Sequence, residues 1–137
     1  MPSQLPVAVV HVKPGVLFTT IAPAGFRLLG AIERAARAVN APLTITSACD
    51  GAHSGPDDPH HRGEAFDVRS QDLPEAVKHT VLAEIMRACN DDGVGPAQPV
   101  AGIPASLATS RFFGFLEAVG TDNEHIHVQL RKGRSYP

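Results

Sequence analysis

Two short runs hold the side chains best suited to chemistry in this chain: His60-His61-Arg62-Gly63-Glu64-Ala65-Phe66-Asp67 and, far downstream, Glu124-His125-Ile126-His127. Each offers imidazole and carboxylate. Two imidazoles and one carboxylate are a typical ligand set for a catalytic zinc, which keeps a fourth position open for water. If Ala65–Arg69 and His125–Leu130 are strands, alternation puts Asp67 on one face with Ala65 and Arg69, and His125, His127 and Gln129 on a face of their own. The opposite faces, with Phe66 and Val68 on one strand and Ile126, Val128 and Leu130 on the other, are apolar and suit a core. His125 and His127 stand two apart on one strand, so both can point at the same metal. Strict alternation sends Glu124 to the face opposite His127, and only a bend near residues 123–125 would let it reach the metal. Five of the seven histidines, at positions 53, 60, 61, 125 and 127, lie in or beside these runs, so the enrichment is local and marks a site.

Several elements must hold these runs in place. Residues 25–39 repeat Leu28, Leu29, Ile32, Ala35, Ala36 and Val39 at helical spacing, with Arg27, Arg34 and Arg37 on the other side, and Asn40 and Pro42 stop the helix. Leu43–Ser47 reads as a strand. Residues 50–62 mix glycine, proline, acids and histidine, a composition that suits a loop arching over a site. A second helix is expected after the metal strand, opened by Asp72 three residues before Glu75 in a capping-box-like start, with Pro74 in its first turn. Its buried stripe is Val77, Val81, Leu82, Ile85 and Cys89, and residues 90–95 close it. Residues 94–110 are too rich in proline and glycine for a long helix and read as loop or short turns. Residues 111–119 and 125–130 read as an antiparallel pair joined across Gly120-Thr121-Asp122-Asn123. Residues 7–12 alternate weakly and suit a short strand. The fold class expected is α+β, with two main helices and a small antiparallel sheet of three or four strands.

Composition narrows the function classes. A chain of 137 residues, 43% hydrophobic and 19% charged, fits one globular domain over residues 1–137. The formal charge of −2 provides no basic field for nucleic acid or anionic lipid. No apolar run approaches the roughly 20 residues of a membrane span, and the start Met1-Pro2-Ser3-Gln4-Leu5-Pro6 lacks the pattern of a signal peptide. Cytoplasmic synthesis and retention are expected. Cys49 and Cys89 are far apart and read as buried thiols, not as a zinc-binding pair or a disulfide framework.

The two runs together resemble the signature of a family of zinc peptidases that comprises D-Ala-D-Ala carboxypeptidases, dipeptidases and phage endolysins. The signature is His-x-x-Gly-x-Ala-x-Asp, here His60, Gly63, Ala65 and Asp67, then an acid three residues before a second His, here Glu124 and His127. The resemblance extends over about residues 26–130 and implies a hedgehog- and DD-peptidase-like zinc fold. It makes His60, Asp67 and His127 the ligands of Zn2+, and Glu124 the general base. Leu43–Ser47 looks like the family's strand leading into the site. An Arg usually follows the Ser by three residues and helps to bind substrate; this chain has Asp50 there. The run Ser47-Ala48-Cys49-Asp50-Gly51-Ala52-His53-Ser54 is similar to a phage-associated branch with Asp-Gly-x-His at that place. Asp50, His53 and Arg69 are therefore the candidate substrate contacts, with His53 or Arg69 as the replacement cation. His61 reads as an exposed loop residue.

What the resemblance implies is hydrolysis of a peptide bond in peptidoglycan-type peptides containing D-residues, by a monomer that meets the cell wall if released by phage lysis. The acidic loop with Asp50, Asp57 and Asp58 disfavours a substrate carboxylate and points to an endopeptidase. Two rivals are a cytosolic D-Ala-D-Ala dipeptidase and a non-catalytic zinc-binding module of a virion, much as the hedgehog signalling domain retains a similar site.

Overall fold

The short strands at the two ends of the sheet, β1 (Val10–Val12) and β4 (Ser106–Ala108), frame four longer ones. A computed structural model describes residues 9–50, 57–90, 95–134 and 136. Between β1 and β4 in the chain come α1 (Pro23–Val39), β2 (Leu43–Ser47), β3 (Ala65–Arg69) and α2 (Glu75–Ala88); β5 (Phe112–Glu117) and β6 (His125–Leu130) come after β4. The strands form one sheet in the order β1-β2-β3-β6-β5-β4. β1 runs parallel to β2, with α1 as the crossover that parallel pairing requires, and every other pair is antiparallel.

The α+β class is as expected, while the sheet is larger and mixed: among the described residues it has six strands and one parallel pair. Strands of three residues are too short to show a period, which is why β4 is hidden in a stretch that reads as loop. α1 starts two residues before the expected residue 25 because Pro23 is accommodated at the first helical position. It ends at Asn40, whose left-handed backbone lets its N–H donate to the carbonyls of Ala36 and Arg37. The capping box at Asp72 does not form. α2 begins after Pro74 with no side-chain cap, since a proline disfavours helical geometry in the residue before it and so keeps Asp72 and Leu73 outside the helix.

Both helices join the same core. Leu28 and Ile32 of α1 and Val81, Ile85 and Met86 of α2 are fully buried with Phe66, Val68, Phe112, Ile126 and Val128 of the sheet. Met86, absent from the expected stripe, completes the α2 contact. Gly114 lets α2 approach closely, for a Cβ there would lie 2.9 Å from Leu82 Cδ1 and 3.1 Å from Met86 Cε. The apolar face of β3 and β6 is thus taken by the helices. The return of β6 between β3 and β5 then brings the two polar runs side by side on the other face.

Candidate metal centre

Register decides which side chains meet. Asp67 pairs across with His127, and Arg69 with His125. On the other flank the β2–β3 register slips between Ile45 and Ser47, so that Ser47 also stands opposite Asp67. Such a bulge bends a strand and re-aims the residues beyond it. Here the chain after Ser47 presents the Ala48 carbonyl to His60 Nδ1 at 3.0 Å.

His60 itself rides on a tight turn. Its backbone N–H donates to Asp58 Oδ1 at 2.9 Å, and the N–H of Gly63 closes back onto the His60 carbonyl at 3.1 Å. Gly63 has φ +70°, and a Cβ on it would lie 2.0 Å from the Thr20 carbonyl oxygen, so both conformation and space call for glycine. The Gly63 carbonyl in turn accepts from the N–H of Ala22, just before α1. The turn carrying His60 is thereby fixed to the start of a core helix.

The result is a group of three ligating side chains, His60, Asp67 and His127, whose donor atoms all lie within 4.8 Å of one another. Asp67 Oδ1 is 3.3 Å from His60 Nε2 and 3.0 Å from His127 Nδ1. The remaining ring nitrogens face acceptors. His60 Nδ1–H donates to the Ala48 carbonyl, and His127 Nε2–H donates to Gln129 Oε1 at 2.8 Å. These partners hold the rings so that the other nitrogen of each faces Asp67; it donates to the carboxylate there, and on losing that proton it can turn a lone pair to a metal ion, the usual arrangement around a metal-binding imidazole. Phe115 packs on the His127 ring at a centroid distance of 5.3 Å.

Electrostatics agree with the geometry. Burial raises the Asp67 carboxyl, but hydrogen bonds from His127 and His60 and the nearby imidazoles outweigh it and hold the group far below the usual carboxylate range. Burial likewise lowers His127, and its bond to Asp67 outweighs that and raises it. A carboxylate flanked by two oriented imidazoles, with exposures of only 4% for His60 and 8% for His127, can hold a metal ion.

The other candidates fall in different places. Glu124 obeys strand alternation without a bend: its carboxylate turns to the helix side. There Oε2 accepts from Ser70 Oγ and Lys78 Nζ, both at 2.7 Å, while Oε1 accepts from the Gly120 N–H at 3.1 Å. The Lys78 bond, with Ser70 and Gly120, lowers the Glu124 pKa to about 2. The base role implied by the resemblance would require this carboxylate to leave those three partners. His125 stays on the metal face, outside the three-ligand group, with Nε2 3.2 Å from Glu117 Oε1 and 3.6 Å from Asp67 Oδ1. Asp50 is bound to backbone, its Oδ1 accepting from the N–H groups of Ala48 at 2.9 Å and Leu17 at 3.2 Å. His53 lies outside the described residues. His61 is half-buried.

A polar cleft of about 380 Å³ opens beside the cluster, lined among others by Lys13, Ser47, Asp67, Arg69, Gln71 and His125. A larger cavity of about 430 Å³, at Asn90, Gln98, Thr109 and Arg131, has no His, Cys, Asp or Glu among its described lining residues. Sequence reasoning missed Gln129 as the acceptor for His127, although its place two residues along the strand was the available signal. It also missed Lys13, Ser70, Lys78 and Glu117, which only tertiary packing brings near. No family model, curated protein or solved structure matches the chain.

Proposed function

We propose that this protein is a zinc-dependent hydrolase of short peptides of the peptidoglycan type. The observation that carries the reading is the buried His60–Asp67–His127 group, each imidazole oriented by a hydrogen bond from its far nitrogen, at the edge of an open polar cleft. A divalent metal held there would supply a Lewis acid that activates water for attack on a carbonyl. Asp67 and the two imidazoles would hold the ion, and Gln129 and the Ala48 carbonyl keep the rings aligned. His125 lies on the metal face with Nδ1 held by the Asn123 carbonyl at 2.6 Å, and its Nε2, on leaving Glu117, moves the proton between water and the leaving amine. Glu124 positions the 120–124 turn from the helix side. The motif resemblance supplies the substrate class, D-residue-containing stem or cross-link peptides.

The test is metal analysis together with digestion of purified cell wall and of free D-Ala-D-Ala. Stoichiometric zinc with release of amino groups from murein supports the reading, and turnover of the free dipeptide alone makes it a dipeptidase. Zinc binding with no hydrolysis of either makes the chain a zinc module without catalysis. Within an active protein, His125→Gln is expected to lose on the order of 10²–10⁴ in rate, the share of a general acid–base group, with zinc retained. Glu124→Gln losing as much at unchanged stability would return the base role to Glu124.

A further inference from the structure

The cleft beside the metal centre holds two cations that no acid among the described residues pairs with. Lys13 comes directly after β1, anchored by its backbone N–H on the Ile45 carbonyl at 2.9 Å. Arg69 ends β3 two residues after Asp67, on the same face, opposite His125. Both line the cleft that Asp67 borders, and among the described residues neither makes an ion pair or side-chain hydrogen bond.

The acids of the same cleft are accounted for differently. Asp67 is matched by its imidazoles, and Glu124 by Lys78. Asp122 alone is left, exposed on the turn before β6. Among the described lining residues, two unpaired cations against one unpaired acid leave a net positive charge in a confined polar space. Asp50, expected to repel an anion here, instead turns its Oδ1 to backbone N–H groups.

We propose that Lys13 and Arg69 form a receptor for the C-terminal carboxylate of the substrate, which makes the protein an exopeptidase that releases a C-terminal residue. The proposal rests on the peptidase reading above and replaces the endopeptidase expectation drawn from the acidic loop. Arg69 supplies the planar fork suited to both carboxylate oxygens, and Lys13 a point charge from the neighbouring edge. The metal ligand Asp67 borders both sites, so a carboxylate held by the two cations places the adjoining peptide bond toward the metal.

The experiment uses the zinc-loaded protein and a tripeptide ending in D-Ala-D-Ala, as free acid and as C-terminal amide. The expected result is a preference for the free acid of roughly tenfold or more in kcat/KM, the size of a lost charge-assisted bond. That ratio should fall toward one in Lys13→Gln with Arg69→Gln, and to an intermediate value in Arg69→Lys, which keeps charge but loses the fork. If Arg69→Gln fails to fold, Lys13→Gln alone, at an exposed position, must still lower the ratio. No preference in the native chain, or a preference unchanged by these substitutions, overturns the receptor. If neither peptide is cleaved, the peptidase reading fails by itself, and calorimetric binding of the same two peptides decides the receptor. Tighter binding of the free acid that is lost in the double variant supports it, and equal binding overturns it.

Discussion

Asp67 and Glu124 are both buried carboxylates held well below their ordinary range, on opposite faces of the same pair of strands, and they have different partners. Asp67 faces two imidazoles. Each of these has its far nitrogen satisfied by a protein acceptor, so the inward nitrogens and the carboxylate oxygens converge where a cation can replace the shared protons. Glu124 faces an ammonium, a hydroxyl and a backbone N–H. All three are donors already, and they satisfy the carboxylate without any ion. The contrast teaches that a depressed carboxylate marks a functional site only when its partners can give up a proton to a ligand.

The largest expected effect separates the two faces outright. Asp67→Ala or His60→Ala should abolish stoichiometric zinc while leaving the circular dichroism of the fold in place, because a three-ligand site short of one ligand holds zinc poorly. Full occupancy in both variants would show that the ion sits elsewhere. Glu124→Ala should do the reverse. It keeps zinc but destabilises the chain by on the order of 1–3 kcal/mol, since it leaves the buried Ser70 hydroxyl and the Gly120 N–H without their acceptor. Denaturant melts measure this, and zinc loss at full stability would move Glu124 to the metal side.

The same residue gives a pH signature. Its folded pKa is lowered to about 2 by Lys78, Ser70 and Gly120, against an ordinary value of 4.5. A depressed folded pKa means that the Glu124 contribution is complete above about pH 4.5, shrinks as pH falls toward 2, and is gone below it. The stability gap between the native chain and Glu124→Gln should therefore narrow on acidification across that window. A gap that widens would mean that the carboxylate is not the partner of Lys78. The smallest effect belongs to the support of the metal face: Gln129→Ala should weaken zinc about 10- to 100-fold, as the loss of a hydrogen bond behind a ligating imidazole does. A competition titration with a chelator reads it, and unchanged affinity would show that Gln129 does not orient His127.

Much of this was legible in the chain itself. The order of types in residues 60–67 and 124–127 marks the candidate ligands, and alternation along Ala65–Arg69 and His125–Leu130 assigns Asp67, His125 and His127 to one polar face with Phe66, Val68, Ile126 and Val128 opposite, because a strand's side chains have a period of two. The helical stripe and Asn40 stop gave α1. Local pattern could not reach further. Whether Glu124 meets the metal or Lys78 depends on α2 packing against β5, the neighbour of β6, which brings the Lys78 ammonium to the Glu124 carboxylate. Whether His125 or His127 joins Asp67 depends on the register of β3 against β6, in which Asp67 stands opposite His127. The pairing of β1 with β2, the bulge that brings the Ala48 carbonyl to His60, and the meeting of Lys13 with Arg69 in one cleft all join residues distant in sequence. Such contacts are chosen by the packing of whole elements, and tertiary structure alone decided them.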